Sequence, residues 1–201
     1  MKRRIKITLL ILLLALVSLS MTVLDNSAGT LPVVASVRSQ GDMSDSVLAR
    51  FSRYRTWTLV NPSPVKMDPA VAALCAAIIP RPSVNPHQNK FISVYVNDVG
   101  QRAMMTELTP VFPQGSMIVK EKLSSKESQE PELLTAMLKR EKGYNPDSGD
   151  WEYLVLNGSA SKIVERGRLS SCSSCHAAYS GTDFVTRLYL PDDVRRKLKS
   201  R

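Results

Sequence analysis

Ser116-Met117-Ile118-Val119-Lys120-Glu121-Lys122-Leu123 alternates along its length. As a strand it places Ser116, Ile118, Lys120 and Lys122 on one face and Met117, Val119, Glu121 and Leu123 on the other. Two more short segments, Phe91 to Val96 and Trp151 to Leu156, share its enrichment in β-branched and aromatic residues and its Gly, Asn, Asp and Pro boundaries. The stretch from Glu132 to Lys142 contains good helix formers. It is nonetheless read as a strand, because Asn145-Pro146-Asp147-Ser148-Gly149-Asp150 forms a hairpin-type turn leading into Trp151. A β-rich core follows.

Upstream the period changes. Val47, Leu48, Phe51 and Tyr54 recur at helical spacing behind Ser44, which serves as the expected N-cap. Trp57 to Val60 reads as a strand ended by Pro62 and Pro64. Asp68-Pro69 then opens a second helix, with Val71, Leu74, Cys75, Ile78 and Ile79 on one face and Pro80 and Pro82 beyond it.

At the start of the chain, Lys2, Arg3, Arg4 and Lys6 precede an apolar run from Ile7 to Val17 that continues, diluted, to Leu24. Residues 1–35 are read as a signal peptide, with Val33-Val34-Ala35 as a small-residue cleavage site, or as an uncleaved N-terminal membrane anchor. Positive charge ahead of the run keeps the N-terminus inside, so in either case the bulk of the chain is expected to be exported to the periplasm. Residues 36–43 form a polar spacer, and residues 44–201 one domain, a length able to bury a normal core.

The formal charge is +9, of which +6 remains once the leader is set aside. The basic residues are scattered except for Arg195, Arg196, Lys197, Lys199 and Arg201, and none interleave with aromatics, so a nucleic-acid partner is not expected. The terminal cluster reads most simply as a solvated helix or tail.

The chemistry concentrates in Cys172-Ser173-Ser174-Cys175-His176. Two thiols at this spacing each add to one vinyl group of a haem, and the following His is placed as axial ligand to the iron. With 3 Cys and 2 His in 201 residues, a random order produces this motif only about 3 times in 10,000. Export strengthens the reading, because haem c is attached outside the cytoplasm. A disulfide, a thioredoxin-like pair and half of a zinc site are the competing readings. One covalent haem c, held by Cys172 and Cys175 with His176 on the iron, is the expectation. The opposite iron face then sets function, since a strong sixth ligand favours electron transfer and an open position admits small molecules.

Tyr54-Arg55-Thr56-Trp57, Val94-Tyr95-Val96-Asn97, Phe112-Pro113-Gln114-Gly115-Ser116 with Val119-Lys120-Glu121, Gly149-Asp150-Trp151, the haem motif and Phe184 to Pro191 together resemble the cytochrome P-460 family, in order and spacing, over about residues 50 to 191. The resemblance implies an α+β, β-rich fold: an antiparallel β-sheet domain with a few short helices and a C-terminal haem-attachment segment, usually as a homodimer. It also implies a Lys bonded to a meso carbon of the porphyrin, which falls on Lys120. Family members with that cross-link resemble hydroxylamine oxidases with a five-coordinate resting haem, and relatives without it bind nitric oxide. Strand parity alone does not separate Lys120 from Lys122.

The sequence departs from the enzymatic pattern at the distal Glu that relays protons. Counting back from Trp151 places Thr135 near its position, with Met137 close by, and the nearest acids, Glu132 and Glu141, fit only with a gap. Without that carboxylate, proton-coupled oxidation lacks its general base.

His87 is read as a loop His, and Cys75 as a small buried thiol. Met104, Met105, Met117 and Met137 are candidate sixth ligands whose usual fate is packing. Trp151 and Tyr153 are read as lining the core or the haem edge, and Arg187 as a partner for a haem propionate.

The reading carried forward is a haem-dependent oxidoreductase that binds and oxidises hydroxylamine or a related small nitrogen compound at an open iron site, passing electrons to a redox partner cytochrome. The alternatives are a cytochrome that binds nitric oxide or another diatomic gas, and a simple electron-transfer cytochrome c.

Overall fold

The strand read from Ser116 to Leu123 lies inside an antiparallel sheet, between Phe91–Val96 and the ambiguous stretch, whose strand runs from Leu133 to Lys139. The computed structural model describes residues 40–76 and 88–200. These fall within one unit, Arg38–Arg201; Met1–Val37, where the leader is expected, lies outside the described residues.

The elements run α1 (Gln40–Phe51), β1 (Thr58–Leu59), β2 (Val65–Lys66), α2 (Pro69–Ala76), β3 (Phe91–Val96), α3 (Asp98–Met105), β4 (Met117–Leu123), β5 (Leu133–Lys139), β6 (Trp151–Asn157), β7 (Ile163–Gly167), α4 (Ser170–His176) and α5 (Asp192–Lys199). The sheet order is β1-β3-β4-β5-β6-β7, with β2 also paired to β3, and every pairing is antiparallel. From β3 onward, neighbours in sequence are neighbours in space. The fold is therefore α+β and β-rich, with short helices around one sheet.

Alternation gives the sheet two faces, each covered by a different part of the chain. On one, Ile92, Val94, Val96, Ile118, Met137, Trp151 and Tyr153 pack with Met104, Phe112, Val185, Tyr189, Leu190 and Leu198. On the other, Met117, Val119, Leu134, Ala136, Leu138, Leu154 and Leu156 pack against Val47, Phe51 and Tyr54. Burying a Leu or Phe fully, as at Leu154 and Phe51, stabilises by about 2 kcal/mol each.

Two carboxylates are buried on this second face. Glu152 is clamped by Arg140 at 2.7 Å and Arg166 at 2.7 Å. Glu121 accepts hydrogen bonds from the Tyr54 hydroxyl at 2.5 Å and Arg55 Nε at 2.9 Å. Pairing of this kind lets a buried carboxylate stay charged. Burial raises the Glu152 carboxyl, but the two guanidiniums outweigh it and hold the group below its ordinary value.

Several boundaries differ from the sequence reading. α1 is already helical at Gln40, inside the stretch read as a spacer, so Ser44 is not its N-cap. Hydrophobic spacing registers only the part of a helix that packs, and here packing begins at Val47. Tyr54 sits on a separate 3₁₀ turn, Tyr54–Thr56, although it meets the same core. The strand expected from Trp57 to Val60 is only Thr58–Leu59. The second half of the expected α2 helix lies outside the described residues, as do His87 and the side chain of Cys75.

α3 has no counterpart in the sequence reading. Its cap is Asn97, whose Oδ1 accepts from Gly100 N at 3.2 Å and Met117 N at 2.9 Å, while its Nδ2 donates to Gly115 O at 3.0 Å. One side chain thus ties the helix to the start of β4. β2, β7 and α4 are likewise additions, each too short or too polar to show a period.

Candidate functional site

On the first face, the pairing register sets Lys120 directly between Val94 of β3 and Thr135 of β5. One pair along, Ile118 faces Met137, which in turn faces Tyr153. These six side chains floor a cavity closed by Cys172 and His176 of α4 and by Val185, Thr186 and Tyr189 of the following segment. Its volume is about 60 Å³, and it opens to solvent.

The cavity separates residues that sequence parity left together. Lys120 lines it; Lys122, on the same face and 1% exposed, is not part of the lining. Thr135 and Met137 both line it. Of the four methionines considered as ligands, Met137 alone belongs to the lining. Met117 packs on the opposite face of the sheet, and Met104 is buried beside the cavity wall without lining it. The wall includes no carboxylate: Glu132 is paired to Lys90 and Glu141 to Arg140.

α4 carries the attachment motif, with Cys172 and Cys175 one turn apart and the thiols not bridged. Among the described residues no group of three or more Cys, His, Asp or Glu gathers as a metal site would require, which removes the second half of a zinc site there. Burial pushes the Cys172 thiol upward, while the positive charges of Lys120 and Lys122 act in the opposite sense.

His176 has the features of an axial ligand. Its Nδ1 lies 2.7 Å from the Phe184 carbonyl oxygen, which assigns the proton to Nδ1 and leaves the lone pair on Nε2. Burial, aided by the charge of Lys120, lowers the imidazole to about 4 against the partial counter-effect of the Phe184 carbonyl. The ring is thus neutral at physiological pH, the form that binds a metal. Tyr153 packs beside it, ring centroids 5.3 Å apart.

The residues present suit a haem. Two unbridged thiols stand one turn apart next to a neutral imidazole, beside a mainly apolar cavity. The wall also holds two buried polar atoms without a partner, the Tyr153 hydroxyl and Thr186 Oγ1, of the kind a bound group satisfies. Ser148 offers the Tyr153 hydroxyl at most a weak hydrogen bond, which leaves Thr186 Oγ1 as the clearer orphan. Arg187 donates from Nη1 to Glu107 O at 2.6 Å, while its Nε and Nη2 are buried without partners.

The sequence reading missed Val94, Ile118, Val185, Thr186 and Tyr189 as wall residues. For Val94 and Ile118 the signal was available: they lie two residues from a position already singled out or directly across from it in the register. The 185–189 segment carries no period that marks it.

A family model described as Cytochrome P460 matches residues 52–187, more than half of the chain. No curated protein matches.

Proposed function

Because this chain belongs to the cytochrome P460 family, and is on that basis a haem-binding cytochrome, we propose that it carries one haem c on Cys172 and Cys175 and takes hydroxylamine or a related small nitrogen compound at the iron face opposite His176. The observation that carries this reading is the single cavity wall on which Lys120, Thr135, Met137, Cys172 and His176 come together. The haem supplies redox chemistry and an open coordination position when bound. His176 would supply the neutral nitrogen, the two thiols would hold the macrocycle, and Lys120 is the side chain proposed for the family's cross-link. Met137, Ile118 and Val94 exclude water from the floor.

The wall also supports a second reading. With no carboxylate to hold or move a proton, a carrier or sensor of nitric oxide fits the lining as well as an oxidase does. In either case the protein is proposed to act in the periplasm as a homodimer and, as an oxidase, to hand electrons to another cytochrome.

The test adds hydroxylamine and an electron acceptor to the purified haem protein. Consumption of many equivalents per haem supports oxidation; one equivalent or less, with tight nitric oxide binding, supports the gas-binding reading. Mass spectrometry of the haem peptide reads the link directly: a third covalent attachment at Lys120 supports the cross-link, and two thioethers alone remove it.

A further inference from the structure

The Phe184 carbonyl that holds His176 belongs to an unusual corner. Asp183 and Phe184 are consecutive residues with positive φ, +53° and +62°, a conformation that a bulky L-residue avoids unless its surroundings impose it. Four separate groups impose it here. Lys139 Nζ of β5 bonds both carboxylate oxygens of Asp183, at 2.6 and 2.7 Å. The Phe112 backbone N–H donates to Asp183 Oδ2 at 2.8 Å. Trp151 Nε1 of β6 donates to the Asp183 carbonyl at 2.7 Å. The Phe184 N–H donates to Tyr179 O at 2.8 Å.

The corner is packed as well as bonded. The Lys139 and Asp183 side chains are only 11% and 12% exposed, so their attraction is little screened. Lys139 also lies 5.0 Å from the centre of the fully buried Trp151 ring. A Cβ on Gly149 would come within 2.7 Å of the Phe184 ring and 2.8 Å of Asp183 Oδ1, so the turn before β6 presses directly on the corner. No step of the proposed reaction uses Lys139 or Asp183. What the pair fixes is the direction of the next carbonyl along the chain.

We propose that Lys139 and Asp183 are positioning residues for His176: with Trp151 they lock the 183–184 corner so that the Phe184 carbonyl fixes the orientation and tautomer of the imidazole. The inference rests on the reading of His176 as the iron ligand. An imidazole held by a hydrogen bond at its second nitrogen is a better-oriented and more basic ligand. Loosening the corner weakens the iron–histidine bond without touching the cavity floor.

The test is resonance Raman spectroscopy and redox titration of the full-length, haem-loaded ferrous protein. Asp183→Asn keeps a residue that tolerates positive φ but removes the charge. Lys139→Gln removes the cation and leaves Asp183 bonded to Phe112, so it reads the same effect where Asp183→Asn lowers the yield of folded protein. Both are expected to shift the iron–histidine stretch to lower frequency and to raise the midpoint potential, with Lys139→Arg close to wild type. A stretch and potential unchanged in both variants overturn the inference. A wild-type ferrous haem that is five-coordinate and high-spin yet shows no iron–histidine stretch instead overturns the ligand reading on which it rests; in a six-coordinate haem the midpoint potential alone decides.

Discussion

The two faces of the sheet are made by the same strands yet are finished in opposite ways. Behind β4 to β6, the residues from Met117 to Leu156 that point toward α1 close into a dry core with Phe51 and Tyr54. In front, their alternate neighbours Ile118, Lys120, Thr135, Met137 and Tyr153 stop short of closure and leave a cavity. The difference is one of covering element: the rear is sealed by apolar side chains of a helix and a turn, whereas the front is packed by Phe112, Tyr189, Leu190 and Leu198 except around the cavity, which α4, none of whose residues is fully buried, helps to close. Both faces therefore hold a packed core, and the gap open to a ligand lies on the front alone, a single residue step along each strand from the sealed rear.

Removing both thiols is the most severe way to test the front. Cys172→Ser with Cys175→Ser is expected to abolish haem that survives denaturing electrophoresis, while the second face still folds; haem staining and far-UV circular dichroism read the two separately. Next in size, Leu154→Ala behind the sheet is expected to cost about 3 kcal/mol by urea unfolding, and Met137→Ala in front about half as much, because its side chain already borders empty space. Equal costs would break the contrast.

Glu152→Gln leaves Arg166 facing no charge and Arg140 facing only Glu141, and is expected to cost about 2 kcal/mol at pH 7. The sign with pH follows from the lowered carboxyl. The native state holds this group ionised more readily than the unfolded chain does, so its contribution is whole above the ordinary value of 4.5 and is lost as pH falls through the lowered one. The difference between wild type and variant, followed by thermal unfolding across pH 3 to 7, should narrow on the acid side. A constant difference would mean that charge is not what the clamp uses.

The mildest test adds what the wall lacks. Thr135→Glu places a carboxylate directly across from Lys120 and is expected to raise hydroxylamine turnover about tenfold, with Thr135→Val unchanged in stability to within about 0.5 kcal/mol. An oxidase already proficient with Thr135 in place would show no such gain.

Much of the front is legible in the amino-acid sequence itself. The alternation of Ser116 to Leu123 puts Lys120 on a definite side and the spacing of the cysteines names the haem segment, because each of these is local in sequence, while Thr135 is reached through the family resemblance, by counting back from Trp151. Parity does not choose between Lys120 and Lys122, since both obey it; only the position of α4 across the sheet distinguishes them. Ser44 fails as a helix start because the polar turn ahead of it makes no apolar pattern. The corner at Asp183 and Phe184 is hidden for a different reason. Its geometry comes from Lys139, Phe112 and Trp151, scattered along the chain, and a positive φ at Asp or Phe has no signature of the kind glycine provides.

The chain-order pairing of β3 to β7 carries a kinetic consequence. From β4 to β7 each hairpin closes a loop of 11 residues or fewer, so this part of the sheet is expected to nucleate from local contacts. Only Arg168 and Leu169 separate β7 from α4, which places the cysteines at the trailing end of that process. Their thiols would then pass through the folding reaction on a segment still free of the scaffold, and whatever reacts with them first, an oxidant or a vinyl group, sets whether the front of the molecule matures or stays empty.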